Sequence, residues 1–188
     1  MRKIKLQIQI TIDSFIAGRN GEMDWVTWNW DEGLNKYVHD LINPVDCILL
    51  GRKLAEGFIP TWKSRLDDPK TADDFARKMV DTDKIVFSKT LNSNNWENTS
   101  IENGELNAAI TKLKQTEGGD IIVYGGGNFV SNLIKNNLID EYHIFVNPVA
   151  IGKGMPIFSG LENNLKLNLK ATKQFECGIV VCCYQPNN

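Results

Sequence analysis

The amino-terminal segment alternates regularly between apolar and polar side chains. Its apolar positions stand two residues apart, at Ile4, Leu6, Ile8, Ile10 and Ile12. Successive side chains of a strand point to opposite faces, so this period of two predicts a first strand with one face more buried than the other. Loop-forming glycine and asparagine residues follow the strand, and a segment rich in tryptophan comes next.

Apolar residues at helical spacing predict five helices. The clearest stripe spans 32–42, where Asp31 is a plausible N-cap and Asn43-Pro44 ends the helix. The other four are a short helix after Lys53 that ends before Pro60, one opened by a capping signature at Thr71 that runs to about Thr82, one over 105–116, and one that follows Gly127 with an apolar stripe reaching Leu138.

Apolar runs of strand length alternate with these helices. They predict buried strands at Val45 to Leu50, Lys84 to Phe87, Asp120 to Tyr124, and Glu141 to about Val149. The end of the chain, with alternating leucines from Leu165 to Leu169 and then an apolar run from Ile179 to Tyr184, predicts a hairpin. This order predicts an α/β fold, with a mainly parallel sheet, an antiparallel edge and one domain over 1–188.

Composition and charge narrow the class of protein. The chain has 188 residues, 42% of them apolar, and its 21 Lys and Arg oppose 23 Asp and Glu. The formal charge of −2 gives no field that would gather nucleic acid or anionic lipid over the whole surface. No apolar run approaches the ~20 residues of a spanning helix, and the first residues lack a signal-peptide block. We therefore expect a cytoplasmic protein with neither nucleic acid nor membrane as a partner.

Cysteine and histidine positions argue against a metal centre. His39 and His143 have no metal-ligand spacing, and we expect both to be structural. The sequence motifs of zinc peptidases, α/β-hydrolases and zinc deaminases are absent. Because no C-x-x-C pair occurs, we expect reduced core thiols at Cys47, Cys177, Cys182 and Cys183.

Three consecutive glycines, Gly125-Gly126-Gly127, join a predicted strand directly to a predicted helix. Without β-carbons the backbone N–H groups can approach an anion closely, and the helix start adds roughly half a positive charge. This arrangement indicates a phosphate site. The structural alternative is a tight turn with positive φ, which needs one glycine rather than three.

Two further strand ends carry cations or hydroxyls. Gly51-Arg52-Lys53 follows one apolar strand, and Ser88-Lys89 follows another. Cations in a first helical turn oppose the helix dipole, so an anion is expected to compensate them. The carboxyl ends of parallel strands share one edge, where ligands bind, and three such junctions indicate a dinucleotide with an extra phosphate, such as NADPH. For Ser88 and Lys89 an ordinary solvated loop remains the alternative.

Several motifs together resemble the dihydrofolate reductase superfamily. The closer branch is the C-terminal reductase domain of bifunctional riboflavin-biosynthesis deaminase/reductases and its stand-alone bacterial relatives. The resemblance covers nearly the whole chain, in the right order. The matching segments are Ile8 to Trp25, Leu49 to Arg52, Lys84 to Leu91, Ile122 to Gly127, Leu138 to Glu141, and Pro148, Gly152, Gly154, Pro156 and Phe158.

This resemblance implies a three-layer α/β/α fold that binds NADPH across the carboxyl ends of the strands. Arg52 and Lys53 would then contact phosphates beside Gly51, and Ser88 and Lys89 would lie near the adenosine 2′-phosphate. The remaining cofactor contacts that it implies are Ala17 and Gly18 beside the nicotinamide, and Gly126, Gly127 and Phe129 around the pyrophosphate. Gly125 and Asn128 are the other predicted cofactor-binding residues.

The proton donor is the least determined part of the predicted site. By its distance from Trp25, Asp31 resembles the carboxylate that folate reductases place on their first helix, but the N-cap role is an equal alternative. Asp13 and Asp24 are further candidates. Trp25 and Trp28 are candidate substrate-binding residues, with simple packing as the alternative.

The predicted function is hydride transfer from NADPH to a small heterocycle. The resemblance implies a reductase similar to 5-amino-6-(5-phosphoribosylamino)uracil reductase or dihydrofolate reductase. The alternative is a nucleotide-binding protein of the same fold without turnover. The partly apolar C-terminal hairpin would be an exposed sheet edge, so we also expect a homodimer.

Overall fold

The computed structural model describes residues 1–187, which form ten strands and five helices. The expected domain over 1–188 includes Asn188, which lies outside the described residues. The strands are β1 Ile4–Thr11, β2 Phe15–Ala17, β3 Val45–Gly51, β4 Asp83–Phe87, β5 Thr99–Glu102, β6 Asp120–Gly125, β7 Glu141–Asn147, β8 Met155–Pro156, β9 Leu167–Gln174 and β10 Val180–Pro186. The helices are α1 Glu32–Ile42, α2 Arg52–Asp67, α3 Asp74–Asp81, α4 Leu106–Gln115 and α5 Gly127–Lys135.

Eight of the strands form one twisted sheet in the order β5-β4-β3-β6-β1-β7-β10-β9. The first six in that order are parallel, and β10 and β9 continue the sheet antiparallel. Residues of α4 and α5 pack on one face of the sheet, while residues of α1, α2 and α3 pack on the other. The predicted three-layer α/β/α fold with an antiparallel C-terminal hairpin is therefore confirmed.

Strand β1 differs from its prediction because both of its faces are buried. Lys5 and Gln7, on the face expected to be the more exposed, are only 9% and 6% exposed. The reason is the position of β1 between β6 and β7, under helices on both sides. The alternating polar residues of β1 are therefore buried side by side on one face of the strand. The positive charge of Lys5 is balanced by the Asp120 carboxylate, 2.7 Å from its ammonium group.

Helix α2 is longer than predicted, since it continues through Pro60 to Asp67. A proline inside a helix costs about 3 kcal/mol or more, which is why the sequence predicted an end there. Packing overrides this preference, because Ile59 is buried and Phe58 and Trp62 pack against the same apolar cluster. Ring stacking of Phe58 on Tyr124 further ties the middle of α2 to the sheet.

Several other predicted element bounds were wrong, and short strands were missed. Helix α3 begins after Asp73, whose side chain accepts from the Ala76 N–H, and not at Thr71, whose hydroxyl donates to Arg65. Helix α5 ends at Lys135, so Leu138 lies outside it. Strand β5 and the β2–β8 pair were missed, since their short segments carry no strong apolar period.

The cysteines form no disulfide within the described part of the chain. Cys47 is buried, and burial raises its pKa to about 12, which keeps it as a thiol. The expectation of core thiols is wrong for the other three, which are half-buried in or beside β10, at the antiparallel side of the sheet. No helix within residues 1–187 is long and apolar enough to cross a membrane.

Candidate cofactor site

Three neighbouring parallel strands end together at one edge of the sheet. Strand β3 lies between β4 and β6, with Gly51 paired to Phe87 and Leu50 paired to Gly125. The junctions that the sequence predicted, after Gly51, Phe87 and Gly125, therefore stand side by side. This edge is where ligands bind in open parallel sheets.

Helices α2 and α5 begin at this edge without a side-chain cap. Their N-cap residues are Gly51 and Gly126, and within the described chain neither helix has an acidic residue in its first turn. A β-carbon on Gly126 would lie 3.2 Å from the Cα of Gly51, so the two helix starts are in contact. Their unpaired N–H groups and dipoles give the edge a local positive potential that suits an anion.

The glycine triplet is only partly explained by backbone geometry. Gly125 has φ +143° and Gly126 has φ +90°, which side-chain-bearing residues rarely adopt. Gly127, the first residue of α5, has no positive φ, and a β-carbon there would meet only the end of the Ile16 side chain, at 3.2 Å. The turn therefore requires two glycines, and the backbone conformation does not require the third.

Of the two cationic side chains at the start of α2, one is already paired with a carboxylate. Arg52 donates to Glu56 at 2.6 Å, an exposed pair one turn apart on the same helix. This pair compensates one of the two cations that the sequence expected an anion to balance. Lys53 is exposed at the same helix start.

Ser88 and Lys89 shape the loop after β4. The Ser88 hydroxyl accepts from the Leu91 N–H at 2.9 Å, and the Lys89 ammonium donates to the Asn103 carbonyl at 2.7 Å. Ser88 keeps its own O–H as a donor, and Lys89 is exposed. Both residues lie at the expected edge, but their observed contacts are those of an ordinary loop.

The loop after β1 lies against the start of α5. Strand β2 pairs with β8, and Gly154 passes so close to Ala17 that a β-carbon would overlap the Ala17 carbonyl. Ile16 reaches Gly127, which brings Ala17 and Gly18 to the same edge as the helix starts. Among the residues predicted around the pyrophosphate, Phe129 stacks on Phe87, with ring centroids 4.9 Å apart. Asn128 is exposed on the first turn of α5.

Asp31 acts as a structural cap. One carboxylate oxygen accepts from the Leu34 N–H at 2.9 Å, and the other accepts from the Cys177 N–H at 3.0 Å. The Cys177 N–H is the largest cause that lowers the pKa of Asp31 below its usual value of 3.8. The observed contacts thus favour the N-cap role, and they tie α1 to the β9–β10 turn.

Asp13 has a similar structural role. Its carboxylate accepts from the Gly152 N–H at 2.6 Å and from the Ile151 N–H at 3.2 Å, which holds the glycine-containing loop before β8. The Thr11 hydroxyl is the largest cause that lowers the pKa of Asp13. The third candidate acid, Asp24, is exposed.

The tryptophan segment lies over the end of β7. The Thr27 N–H donates to the Asn147 side chain at 3.0 Å, and Asn147 in turn donates to Gln9 at 2.8 Å. Trp28 is 65% exposed, whereas the Trp25 Nε1 is buried without a hydrogen-bond partner in the described structure. Asn147 is fully buried and was missed by the sequence analysis, although a polar residue that ends an apolar strand is a usable signal.

Two surface hollows lie away from this edge. One of about 840 Å³ lies beside the α2–α3 connection and includes Arg65 and Asp73. Another of about 260 Å³ lies between Trp62 and Trp96, with Lys84 at the start of β4 among its lining residues. Neither is lined by a predicted cofactor residue.

Comparison with known proteins adds an independent line of evidence. The model of the RibD C-terminal domain family matches residues 2–181. The uncharacterized protein YyaP of Bacillus subtilis is 34% identical over 190 residues, covering 99% of this chain and 96% of that protein. Both matches extend over nearly the whole chain.

Solved structures show the same fold at low identity. The diaminohydroxyphosphoribosylaminopyrimidine deaminase/5-amino-6-(5-phosphoribosylamino)uracil reductase of Thermotoga maritima has a TM-score of 0.71 at 18% identity, covering 99% of this chain and 57% of that one. Dihydrofolate reductase of Enterococcus faecalis, solved with NADP(H) and RAB-propyl, has a TM-score of 0.65 at 13% identity, covering 99% and 97%. The chain belongs to the RibD C-terminal domain family, a reductase-like family with the fold of dihydrofolate reductase.

Proposed function

We propose that this protein is a reductase that uses NADPH to reduce a small heterocyclic substrate. The observation that carries the proposal is the contact between two uncapped helix starts, α2 and α5, at the carboxyl edge of parallel strands. The unpaired N–H groups of each helix start can bind one phosphate group. A pyrophosphate-containing dinucleotide offers two such groups in one molecule.

The preference for NADPH over NADH follows from the charges at this edge. Arg52, Lys53 and Lys89 are the cations of the three neighbouring junctions, and Ser88 adds a hydroxyl donor. A 2′-phosphate on the cofactor would give Lys89 a charge-assisted partner that NADH lacks. The bound nicotinamide would supply a hydride, and the protein would hold the substrate ring in reach of it.

The substrate would lie where the tryptophan segment meets β1 and β7. Gln9 is half-buried and its amide is held by a hydrogen bond from the fully buried Asn147, while Trp28 offers an exposed aromatic surface. Planar heterocycles with amide-like edges suit such a surface, because they combine stacking faces with hydrogen-bonding groups. The uracil named for the Thermotoga maritima reductase belongs to this class of molecule.

The alternative is a protein that binds a nucleotide without turning it over. Both oxygens of Asp31 are occupied by backbone N–H groups, which supports this alternative because the carboxylate is held as a cap. A water molecule or a substrate group would then have to supply the proton in a reductase. The two functions share one cofactor site and differ only in hydride transfer.

Measurements of cofactor binding and of NADPH oxidation separate the two functions. We expect NADPH to bind, and its absorbance to fall when pyrimidines, pterins or flavins are added one at a time. Binding of NADPH with no oxidation by any class of acceptor would support the nucleotide-binding alternative. Failure to bind NADPH would contradict the reductase, and failure to bind any nucleotide would contradict both functions.

We also propose that the chain forms a homodimer through β9. This strand pairs only with β10 within the described sheet, and seven of its eight residues are exposed. Leu169 is 56% exposed in the middle of this strand. An uncovered edge strand with an apolar side chain is usually protected by a partner.

A further inference from the structure

We propose that Glu141, His143 and Cys183 form a binding site for a divalent cation of the zinc type. The site lies on β7 and β10, under helix α1, away from the candidate cofactor edge. It is independent of the proposed reductase function. The sequence predicted no metal site, because neither the histidines nor the cysteines show a local metal-ligand spacing, and Cys183 is 40 residues beyond His143.

The pairing of the two strands brings the three side chains together. His143 on β7 is the direct cross-strand partner of Cys183 on β10. Glu141 stands two residues before His143 and therefore points to the same face of the sheet. One ligand atom from each residue lies within 4.8 Å of the others, and the His143 Nε2 is 3.0 Å from a Glu141 carboxylate oxygen.

These separations are close to those of a coordination sphere. Two nitrogen or oxygen ligands at about 2.0–2.1 Å from a tetrahedral Zn²⁺ lie roughly 3.3 Å apart. The observed 3.0 Å between His143 and Glu141 needs to widen by only a few tenths of an ångström. Rotation of the Cys183 side chain would bring its sulfur into the third position, and water can fill the fourth.

The donor set selects the type of metal. A thiolate, an imidazole and one carboxylate suit Zn²⁺ or Co²⁺, whereas Mg²⁺ and Ca²⁺ prefer sites made only of oxygen ligands. Glutamate and thiolate together carry two negative charges, which would neutralise a divalent cation. The residues therefore predict a borderline transition metal and not an alkaline-earth ion.

Surrounding groups orient the proposed ligands. The Tyr37 hydroxyl is 2.6 Å from the His143 Nδ1, which leaves Nε2 directed at the other two residues. Gln185 donates to the second carboxylate oxygen of Glu141 at 3.2 Å. Partners of this kind fix the tautomer and orientation of metal ligands in known sites.

Nearby cations do not prevent binding. Lys5 is paired with Asp120 at 2.7 Å, so its charge is already compensated. The Lys3 ammonium is 3.6 Å from Glu141, but its side chain is 55% exposed and its field is screened by solvent. Glu141 and Cys183 are only half-buried, which gives a cation a route from the surface.

The competing explanation is a hydrogen-bond chain from Tyr37 through His143 to Glu141 with no metal. That chain satisfies the imidazole nitrogens and gives the Cys183 thiol no part. The two explanations therefore differ in whether the thiol binds a metal, which can be observed directly by spectroscopy.

The test is a titration of the untagged, chelator-treated chain with Co²⁺ under reducing conditions. Coordination by a thiolate gives an intense charge-transfer band in the near ultraviolet, and tetrahedral geometry gives strong visible bands. We expect one equivalent of Co²⁺ to produce both sets of bands, and one equivalent of Zn²⁺ to remove them. The melting temperature of the full chain should rise when either metal is bound.

Two cysteine variants supply the contrast. Cys183→Ser should abolish the charge-transfer band, whereas Cys182→Ser should keep it, because the cross-strand partner of Cys182 is Ile144 on the opposite face. Tyr37→Phe should weaken Co²⁺ binding by roughly 10–100-fold, as loss of an orienting partner does. Circular dichroism of each metal-free variant establishes that it is folded.

Two results would overturn the proposal. One is the absence of a charge-transfer band from the folded wild-type chain with excess Co²⁺. The other is a band of the same intensity in Cys183→Ser as in wild type. If Cys183→Ser does not fold, the same comparison applies to Glu141→Gln, which should weaken Co²⁺ binding at least tenfold, and unchanged affinity in that variant would contradict the proposal.

Discussion

The helix starts of this protein fall into two groups. Helices α1, α3 and α4 begin after Asp31, Asp73 and Glu105, and each carboxylate accepts from a backbone N–H three residues later. Helices α2 and α5 begin after Gly51 and Gly126, which have no side chain to cap them. The first group has a side-chain acceptor within the chain, whereas the second has no side-chain cap in the described structure.

The two groups of helix starts differ in how much their N-cap residues stabilise the fold. A carboxylate at an N-cap stabilises a helix by satisfying orphan N–H groups and opposing the positive end of the dipole. Two neighbouring helix starts have glycine at this position and therefore lack that stabilisation. Both lie at the edge where ligands bind in open parallel sheets. Local rules of stability are usually broken at functional sites, and here they are broken twice, side by side.

The largest expected effect comes from Gly126→Val. A side chain at φ +90° would be strained by about 1–3 kcal/mol, and its β-carbon would press on the backbone of Gly51. We expect the free energy of unfolding to fall by at least that amount and NADPH binding to be lost. Urea unfolding and a fluorescence titration with NADPH measure both. As a control, Gly57→Ala has open space around it and should not lose stability.

The second largest effect is expected from removing the charge of Lys89, beside the uncapped helix starts. Lys89→Ala should weaken NADPH binding about tenfold or more, because a charge-assisted hydrogen bond is worth ~1.5–3 kcal/mol. Its affinity for NADH should stay the same. Titration of both cofactors against wild type, Lys89→Ala and the exposed control Lys70→Ala measures this. Equal affinity of the wild type for the two cofactors would remove the 2′-phosphate assignment.

A smaller effect, on the melting temperature, is expected from removing the Asp31 cap of helix α1. The pKa of Asp31 in the folded chain lies below its usual value of 3.8, so the ionised carboxylate stabilises the fold above that pH. This contribution is lost as the pH falls through the lowered pKa. Asp31→Ala should therefore melt below wild type at pH 7, and the gap should shrink toward pH 3.

The same residue distinguishes a cap from a catalytic acid. Asparagine also caps helices well, so Asp31→Asn should keep the bond from the Leu34 N–H and lose the one from the Cys177 N–H, because its amide nitrogen cannot accept. We expect it to melt between Asp31→Ala and wild type at pH 7. If Asp31 is only a cap, this variant should also keep NADPH turnover. A folded Asp31→Asn chain without turnover would instead assign the catalytic proton to Asp31.

The smallest effect on the site is expected from a change at the proposed dimer edge. Leu169→Glu places a charge in the middle of β9, where it would oppose its own copy across a symmetric interface. Analytical ultracentrifugation should show a dimer for wild type and a monomer for the variant, with NADPH binding unchanged in each. A wild-type chain that sediments only as a 21.2 kDa species would contradict the dimer.

Local patterns predicted most of the fold. Period two and apolar runs located the main strands, and the parallel arrangement followed from their alternation with helices. The failures have physical causes in tertiary packing. Pro60 stays inside α2 because its neighbours are buried, and β5 forms because β4 offers an edge, although its own residues carry little apolar signal.

The sequence predicted those parts of the candidate site that depend on residues close together in the chain. The three strand ends were recognised, because parallel strands share an edge. The bond between Asp31 and Cys177 joins residues 146 positions apart, and the contact of Gly51 with Gly126 depends on the order of strands. The cluster of Glu141, His143 and Cys183 likewise needs the register of β7 and β10, which no local period contains.

Gly127 gives the most direct test of the central claim that the uncapped helix starts bind an anion. Gly127→Asp would place a carboxylate in the first turn of α5, and Gly127→Asn would place a neutral group of similar shape there. The backbone accepts both, since only the Ile16 side-chain end is near. We expect the aspartate variant to melt at or above wild type and to lose NADPH binding, with the asparagine variant binding more tightly than the aspartate variant. Wild-type NADPH affinity in a folded Gly127→Asp chain would contradict the account.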